Sequence, residues 1–202
     1  CRDRTIVVAE CAGIAESLLE SELFGHEKGA FTGAHARHEG FFDRANGSTL
    51  LLDELDTMSA RLQAMLLRVL ETGEYRPVGA SSARKSEFRL ISAALPRLLS
   101  MVEGGQFRKD LLYRISTLRI EIPPLRERGD DAGEIAATHA RMLGVQLTPG
   151  ALRAIAKYEW PGNVRQLRHC IQAASLHGRD GRIGEAAVGE VIGTYGGSPT
   201  NA

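Results

Sequence analysis

The sequence predicts an α/β fold with a mostly parallel sheet, followed by a small α-helical unit. Two observations predict it. Strand-like and helix-like segments alternate from the start of the chain to Pro123 and Pro124, a pattern typical of layered α/β domains. After these prolines only helical periodicity follows. The chain has 202 residues, of which 43% are hydrophobic, so it is long enough to bury a sizeable core.

Four strands are predicted before the two prolines. The apolar runs at residues 5–8, 48–54 and 88–93 are typical of core strands, whereas residues 118–122 alternate apolar and charged side chains like an edge strand. Two helices are predicted between these strands, the second of them capped by Thr57. The apolar positions of the first helix are Ile14, Leu18 and Leu19, and those of the second are Met58, Leu62, Met65, Leu66, Val69 and Leu70.

The second part of the chain contains four helical patterns. They cover residues 131–143, 148–158, 163–175 and 185–192, and the first presents Ile135, His139, Met142 and Leu143 on one predicted face. We expect three regions: an α/β core at 1–124, a helical unit at 125–193 and a flexible tail at 194–202.

Composition limits the functional classes. The 25 basic side chains balance the 25 acidic ones, so we expect any DNA contact to be made by a domain outside this chain. Three cysteines without metal-ligand spacing favour a reduced, cytoplasmic setting. No apolar run approaches the ~20 residues that span a bilayer, so no membrane contact is predicted. The first residue is Cys1 and not Met, which favours a piece of a longer protein.

The hexapeptide Gly29-Ala30-Phe31-Thr32-Gly33-Ala34 places one aromatic ring and one hydroxyl between small residues. A flexible backbone of this kind suits an exposed tip that contacts a partner. A buried turn can use the same residues, and for a lone glycine-rich loop that is the more common case.

Charged side chains of a type that binds ligands or takes part in catalysis occur at three further places. Asp53 and Glu54 end an apolar strand, where α/β sheets bind ligands, although the same residues can simply lead into a helix. Arg108 and Arg114 lie six residues apart on a short helical stretch and suit either phosphate oxygens or surface ion pairs. Arg165 lies in the first turn of a helix, where the helix dipole disfavours a cation unless an anion is near.

In this order, the segments closely resemble the AAA+ ATPase domain of bacterial sigma-54-dependent transcription activators, the enhancer-binding proteins. The resemblance runs from about Thr5 to about Ile192. The hexapeptide resembles the loop that touches the sigma factor. Four other segments resemble the Walker B strand, the arginine-finger segment, the sensor II motif and the second surface insertion of that family: residues 47–55, 105–114, 160–167 and 74–88, respectively.

The resemblance implies an AAA+ P-loop-type three-layer domain followed by an α-helical lid, with ATP and Mg²⁺ as ligands. It implies that Asp53 holds Mg²⁺ through water and that Glu54 acts on the attacking water. Arg108 and Arg114 fall on the two finger positions, and Arg165 falls on the lid residue that reads the nucleotide. The active site would then be shared between subunits of a ring, expected to be a hexamer.

The resemblance further implies a function in transcription activation. ATP hydrolysis would drive the loop at residues 24–40, with Phe31 and Thr32 at its tip, against sigma-54 RNA polymerase and remodel the promoter complex.

The sequence departs from the family at three places. No lysine follows a G-x-x-x-x-G-K-[ST] loop, so Walker A is absent, and we expect the N-terminal strand and P-loop to lie upstream of Cys1. Glu10 occupies the place of an asparagine that holds the Walker B glutamate, Glu54. Leu95 occupies the place of the sensor I asparagine and cannot hydrogen-bond a phosphate.

Three functions therefore remain open. The first is an ATPase that uses Asp53 and Glu54. The second is a non-hydrolysing sigma-54-interaction module, which Glu10 and Leu95 favour. The third, a DNA-binding regulator, needs a helix-turn-helix that the sequence does not show before Gly196.

Overall fold

The computed structural model describes residues 6–178 and 180–195. The chain divides into two compact units, with the division after Arg119. The first is a parallel sheet with helices, and the second is mainly helical. The predicted fold class is therefore confirmed. The tail predicted at residues 194–202 lies outside the described residues from 196 onward, while Thr194 ends the last helix.

Short strands and helices follow one another along both units. The first unit contains β1 Ile6–Glu10, α1 Glu16–Phe24, α2 Phe41–Arg44, β2 Thr49–Asp53, α3 Ala60–Thr72, β3 Glu74–Tyr75, β4 Arg84–Lys85, β5 Arg89–Ser92, α4 Leu98–Glu103 and α5 Lys109–Ile115. The second contains α6 Asp131–Met142, β6 Gln146–Leu147, α7 Pro149–Lys157, α8 Asn163–Leu176, β7 Arg182–Ile183 and α9 Glu185–Thr194. Short 3-10 turns cover Leu55–Thr57 and Leu125–Glu127.

Three parallel strands in the order β1-β2-β5 form the main sheet of the first unit. Because strand residues alternate between faces, Leu50 and Leu52 point into the core and are fully buried. The opposite face is apolar yet open, since Ile6 and Val8 are each 51% exposed and Ile91 is 40% exposed. Parallel sheets are ordinarily covered on both faces, so this side of the sheet lacks a packing layer within the described residues.

Aromatic contacts close the covered side of the first unit. Phe42 is fully buried, and its ring lies 5.1 Å from Phe24, 5.6 Å from Tyr75 and 5.5 Å from Phe88. Such ring pairs stabilise a core beyond the area that they bury. The cluster joins α1, α2 and β3 to the residue before β5.

The long helix α3 begins two residues later than the sequence predicted. Its N-cap is Ser59, whose hydroxyl accepts the Leu62 N–H at 3.3 Å. Thr57 instead lies in the 3-10 turn after β2, and its hydroxyl donates to the Glu54 carbonyl at 2.8 Å. The predicted apolar face is otherwise correct, because Leu62, Leu66 and Val69 are buried.

Two expectations about the first 124 residues are wrong. Residues 118–122 form no strand, because no described strand pairs with them, and Leu118, Ile120 and Ile122 are 78–81% exposed. On α1, Leu19 is buried but Leu18 is 48% exposed. Periodicity alone identifies apolar side chains, whereas burial depends on the neighbouring element that is present to cover them.

The core of the second unit is built from α6 to α9. A stripe of alanines at 132, 136 and 140 faces the other helices and allows close approach. The predicted face of this helix is therefore wrong at its end, where Met142 is exposed.

The expectation that the second unit contains helices alone is also wrong, because β6 and β7 pair in parallel. Strands of two residues are too short to leave a readable alternation in the sequence.

Trp160 anchors the connection between α7 and α8. It is 1% exposed, its indole N–H donates to the Ile155 carbonyl at 2.9 Å, and its ring meets Tyr158 edge to face. Its φ of 53° turns the chain sharply after α7. The same side chain thus fills the core and fixes the turn.

Replacing Trp160 by Ala should lower the free energy of unfolding by about 3–5 kcal/mol, the usual cost of a large aromatic cavity. Urea unfolding followed by circular dichroism measures this. The matched control is Leu176→Ala, because Leu176 is 84% exposed in the same unit, and it should change stability by less than about 0.5 kcal/mol. Equal effects of the two substitutions would contradict the anchoring role.

Candidate functional site

The carboxyl ends of β1 and β2 bring acidic side chains together. The register sets Glu10 opposite Asp53, and the Cys11 N–H donates to the Asp53 carbonyl at 3.0 Å. Glu10, Asp53 and Glu54 are all exposed. This edge of a parallel sheet is where α/β proteins bind ligands.

Glu54 has a left-handed backbone, with φ of 54° and ψ of 43°. A residue with a side chain costs of order 1 kcal/mol or more in this conformation, and such strain concentrates at functional sites. Two hydrogen bonds hold the turn: the Glu54 N–H donates to Asp53 Oδ1 at 2.8 Å, and Thr57 Oγ1 donates to the Glu54 carbonyl. The chain therefore leaves β2 abruptly, and both carboxylates remain exposed.

Asp56, which the sequence interpretation did not include, organises the neighbouring strand end. Its side chain is fully buried, with Arg97 Nε donating to Oδ2 at 2.6 Å and the Leu95 N–H donating to Oδ1 at 3.3 Å. The residue in the sensor I place, Leu95, is thus fixed through its backbone while its side chain is half exposed. A buried carboxylate needs partners of this kind, but the sequence contains no pattern that links positions 56 and 97.

Burial and the neighbouring carboxylates both act on the thiol of Cys11. Burial, followed by the charges of Asp53, Glu54 and Asp56, raises the pKa of this thiol to about 12. Within residues 6–178 and 180–195, no group of three or more His, Cys, Asp or Glu side chains could hold a metal ion by itself. The carboxylates present fit a divalent cation that takes its remaining oxygens from water and a phosphate ligand.

The two finger candidates make contacts within their own unit. Arg108 is the N-cap residue of α5 and forms a two-pronged ion pair with Asp110, with Nε–Oδ1 at 3.0 Å and Nη2–Oδ2 at 2.7 Å. This pairing raises the pKa of Arg108 and lowers that of Asp110. Arg114 donates from Nε and Nη2 to the Leu70 carbonyl at the end of α3. Both guanidinium groups are exposed.

Gln63 on α3 is a positioning residue that sequence reasoning missed. It is 1% exposed, donates to the carbonyls of Met58 and Gln106, and accepts the Arg108 N–H at 2.9 Å. A glutamine among the apolar positions of an amphipathic helix gives a weak signal for such a role. Its amide fixes the start of α5 on α3.

The hexapeptide forms a compact exposed tip, the first of the two alternatives that its composition left open. The Gly29 N–H donates to the Ala34 carbonyl at 2.8 Å, and the Ala34 N–H donates to the Phe31 carbonyl at 3.0 Å. Gly33 has a φ of 102°, which favours glycine. Phe31 is 46% exposed and Thr32 is exposed, so the alternative of a buried turn does not describe this loop.

Arg165 lies in the first turn of α8 in the second unit and is exposed. Among the described residues it has no hydrogen-bond or ion-pair partner. The start of its helix is fixed by Asn163, whose Oδ1 accepts the Leu125 N–H at 2.8 Å, and by Gln166, whose Oε1 accepts the Gly162 N–H. Within this part of the chain, the guanidinium is thus an unpaired cation on a well-anchored helix end.

No helix in the described part of the chain is long and apolar enough to span a bilayer.

Comparison with known families agrees with this fold. Residues 126–196 match the family described as the AAA+ ATPase lid domain, which places the chain in the AAA+ class. Residues 1–121 match the Sigma-54 interaction domain, and the chain belongs to that family.

Individual proteins are also similar to this chain in sequence. The chain is 45% identical over 186 residues to the Nif-specific regulatory protein of Azotobacter vinelandii, covering 89% of this chain and 36% of the relative. It is 45% identical over 190 residues to the anaerobic nitric oxide reductase transcription regulator NorR of Salmonella paratyphi C, covering 91% and 38%. The chain thus spans little more than a third of these curated relatives.

A solved structure also matches the whole chain. NtrX from Brucella abortus, crystallised in complex with ATP, superposes with a TM-score of 0.84 at 27% identity. The match covers 100% of this chain and 46% of NtrX.

The two described thiols predict a loss of stability at high pH. Burial raises the pKa of Cys170 to about 11, and that of Cys11 is raised to about 12, both from 9.0. Above pH 9 the unfolded state releases protons that the folded state retains. The stabilising contribution is therefore complete below pH 9 and is lost as pH rises toward 11 and 12.

Urea unfolding at pH 8 and pH 10 should show a fall of about 1 kcal/mol for each thiol. Cys11→Ala should remove its share of this difference, and Cys170→Ala is the matched variant in the second unit. A difference between the two pH values that is unchanged in both variants would contradict the assignment.

Proposed function

We propose that this chain is the domain of a sigma-54-dependent transcription activator that contacts sigma-54 RNA polymerase and couples this contact to bound ATP. The observation that carries the proposal is the exposed Phe31-Thr32 tip within a member of the Sigma-54 interaction domain family. The hexapeptide carries no charged side chain, so its ring and hydroxyl suit a contact with a largely apolar partner surface.

The acidic edge supports a nucleotide site in the first unit. Asp53 would hold Mg²⁺ through water, and Glu54 would orient the attacking water, the roles that carboxylates have in phosphoryl transfer. NtrX, whose fold this chain shares, has been crystallised in complex with ATP. The residues present fit the metal side of such a site. The phosphate-binding loop is not among them, because no lysine follows a glycine-rich loop in this sequence.

The open face of the sheet supports completion of this site by a further strand and helix. Ile6, Val8 and Ile91 form an apolar surface on one face of a parallel sheet. A strand–P-loop–helix unit would cover such a face and bring phosphate-binding N–H groups to the edge that carries Asp53. We therefore propose that the complete nucleotide site includes residues outside this chain.

The exposed cations fit a site shared between subunits. Arg108 and Arg114 would reach the nucleotide of a neighbouring subunit in a ring, proposed to be a hexamer, and Arg165 would bind nucleotide from the helical unit. Arg108 would have to leave Asp110 to do so, which is feasible because both side chains are exposed.

The proposed regions are the core at 1–124 with its loop at 24–40, the lid at 125–193 and the tail at 194–202. The intact protein would be cytoplasmic and would contact DNA through another domain.

A second candidate function is a sigma-54-interaction module without ATP turnover. Leu95 favours it, because its side chain offers no hydrogen bond to a phosphate and its N–H is already bound by Asp56. ATP turnover by the intact protein, measured with and without sigma-54, separates the two functions. Turnover supports the ATPase, whereas sigma-54 binding with no turnover supports the module.

Replacing Phe31 by Ala should reduce sigma-54 binding by at least about tenfold, because the substitution removes the only large apolar group of the tip. Binding of labelled sigma-54 to the intact protein measures this loss. Leu18→Ala is the matched control, since Leu18 is 48% exposed on α1 and lies outside the loop at residues 24–40. Unchanged affinity after Phe31→Ala would refute the proposed role of the tip.

Mixing inactive subunits tests whether the active site is shared. Glu54→Gln and Arg108→Ala proteins should each lose ATP turnover. In an equal mixture, about a quarter of the ring interfaces would combine an intact Glu54 with an intact Arg108, so turnover should partly return. Absence of recovery in rings shown to contain both subunits would place Arg108 outside the neighbouring site.

A further inference from the structure

We infer that His26 is a positioning residue for the sigma-54-contacting tip: its imidazole connects Phe31 to helix α1 and holds the aromatic ring ready for the partner. This inference rests on the proposed function. His26 lies three residues before Gly29, the first residue of the hexapeptide, and is half-buried.

The side chain of His26 contacts both the core and the tip. Its Nδ1 lies 2.7 Å from the hydroxyl of Ser21, which is 3% exposed on α1. Its ring meets Phe31 edge to face, with ring centroids 4.9 Å apart and an interplanar angle of 65°. The imidazole is thus fixed at one end by a buried hydroxyl and contacts the exposed phenyl ring with its other side.

A second histidine supports the ring of His26 from another side. His38, on the returning segment of the loop, stacks on it with centroids 5.4 Å apart and an interplanar angle of 23°. The Ser21 bond, the His38 stack and the Phe31 contact together restrict the orientation of the imidazole.

The backbone of His26 is held between two extended segments. Its N–H donates to the His38 carbonyl at 3.1 Å, and its carbonyl accepts the His38 N–H at 2.9 Å. On the other side, the Val78 N–H donates to the Gly25 carbonyl, and the Glu27 N–H donates to the Val78 carbonyl. His26 is therefore the central residue of a three-segment ladder at the base of the loop.

Close backbone contact and an ion-pair network complete this base. A Cβ on Gly25 would lie 2.7 Å from the His38 carbonyl oxygen, so the two chain segments meet at this point without side chains between them. Arg84 of β4 bonds Glu27 at 2.5 Å and Asp43 at 3.3 Å. The residue that follows His26 is thus tied to both β4 and α2.

This arrangement lowers the conformational entropy that Phe31 loses when the partner binds. A phenyl ring on a glycine-flanked loop samples several rotamers, and binding must restrict them. Contact with a fixed imidazole restricts Phe31 before the partner arrives, which lowers the cost of association. From the usual strength of one aromatic pair, loss of the contact should weaken binding by roughly 2- to 12-fold.

Three substitutions in the intact protein separate the contacts of His26. His26→Ala removes the ring and the Ser21 bond, and His26→Asn keeps a polar atom near Ser21 but removes the ring. His26→Phe keeps a ring against Phe31 without the Ser21 bond. We expect sigma-54 affinity to fall most for Ala and Asn and to be largely restored by Phe. His177→Ala, an exposed histidine of the helical unit, is the matched control and should bind like the wild type.

A double-mutant cycle with Phe31→Leu provides the decisive measurement. If His26 acts through the phenyl ring, His26→Ala should weaken binding much less in the Phe31→Leu background than in the wild type. A 4-fluorophenylalanine placed at position 31 should also lose its shifted ¹⁹F resonance in His26→Ala but keep it in His177→Ala. Thermal unfolding shows whether each variant retains its fold.

The outcomes distinguish this inference from the proposed function. If Phe31→Ala leaves sigma-54 binding intact, the proposed function of the tip fails. If Phe31→Ala abolishes binding while the two His26→Ala effects are equal in both backgrounds, or while the ¹⁹F resonance is unchanged, the tip is confirmed and the positioning role of His26 is overturned.

Discussion

The pairing of the central strand β2 with β1 and β5 is the constraint on which the first unit depends. It buries Leu50 and Leu52 and sets the carboxyl ends of three segments at one edge. The pairing continues past the strands, because the Leu55 N–H donates to the Ala93 carbonyl and the Cys11 N–H donates to that of Asp53. The left-handed turn at Glu54 and the buried carboxylate of Asp56 both follow from this extended pairing. Without this pairing, the carboxylates of Asp53 and Glu54 would not lie together at the sheet edge.

Helix α1 links this edge to the loop. At its start, Glu16 accepts a hydrogen bond from Ser59, the cap of α3, and Glu20 pairs with Arg61 at 2.7 Å. Near its end, Ser21 holds His26. The helix that leaves β1 therefore contacts both the segment after Glu54 and the base of the tip.

Sequence patterns predicted the features that depend on local chemistry. The apolar runs predicted the three core strands, and the periodicity of α3 predicted its buried face. The exposed tip followed from the resemblance of the hexapeptide segment to a known family, since its small residues alone also suited a buried turn. The features that the sequence patterns missed depend on pairs distant in the chain, such as Asp56 with Arg97 or Gln63 with Arg108. The predicted strand at residues 118–122 is wrong for a related reason. Alternation of apolar and charged residues suggests a strand, but a strand also needs a neighbour with free hydrogen-bonding groups.

The closed base of the loop has a consequence for how its tip can vary. Because the segments around Gly25 and His38 are joined backbone to backbone, the ends of the loop are fixed whatever lies between them. The entropy of closing such a loop rises only slowly with its length. Insertions or exchanges at the exposed tip, around Phe31 and Thr32, would thus be tolerated by the core far better than changes at the base. The base of the loop is fixed and its exposed tip can vary, so new partner specificity could evolve at the tip with little cost to folding.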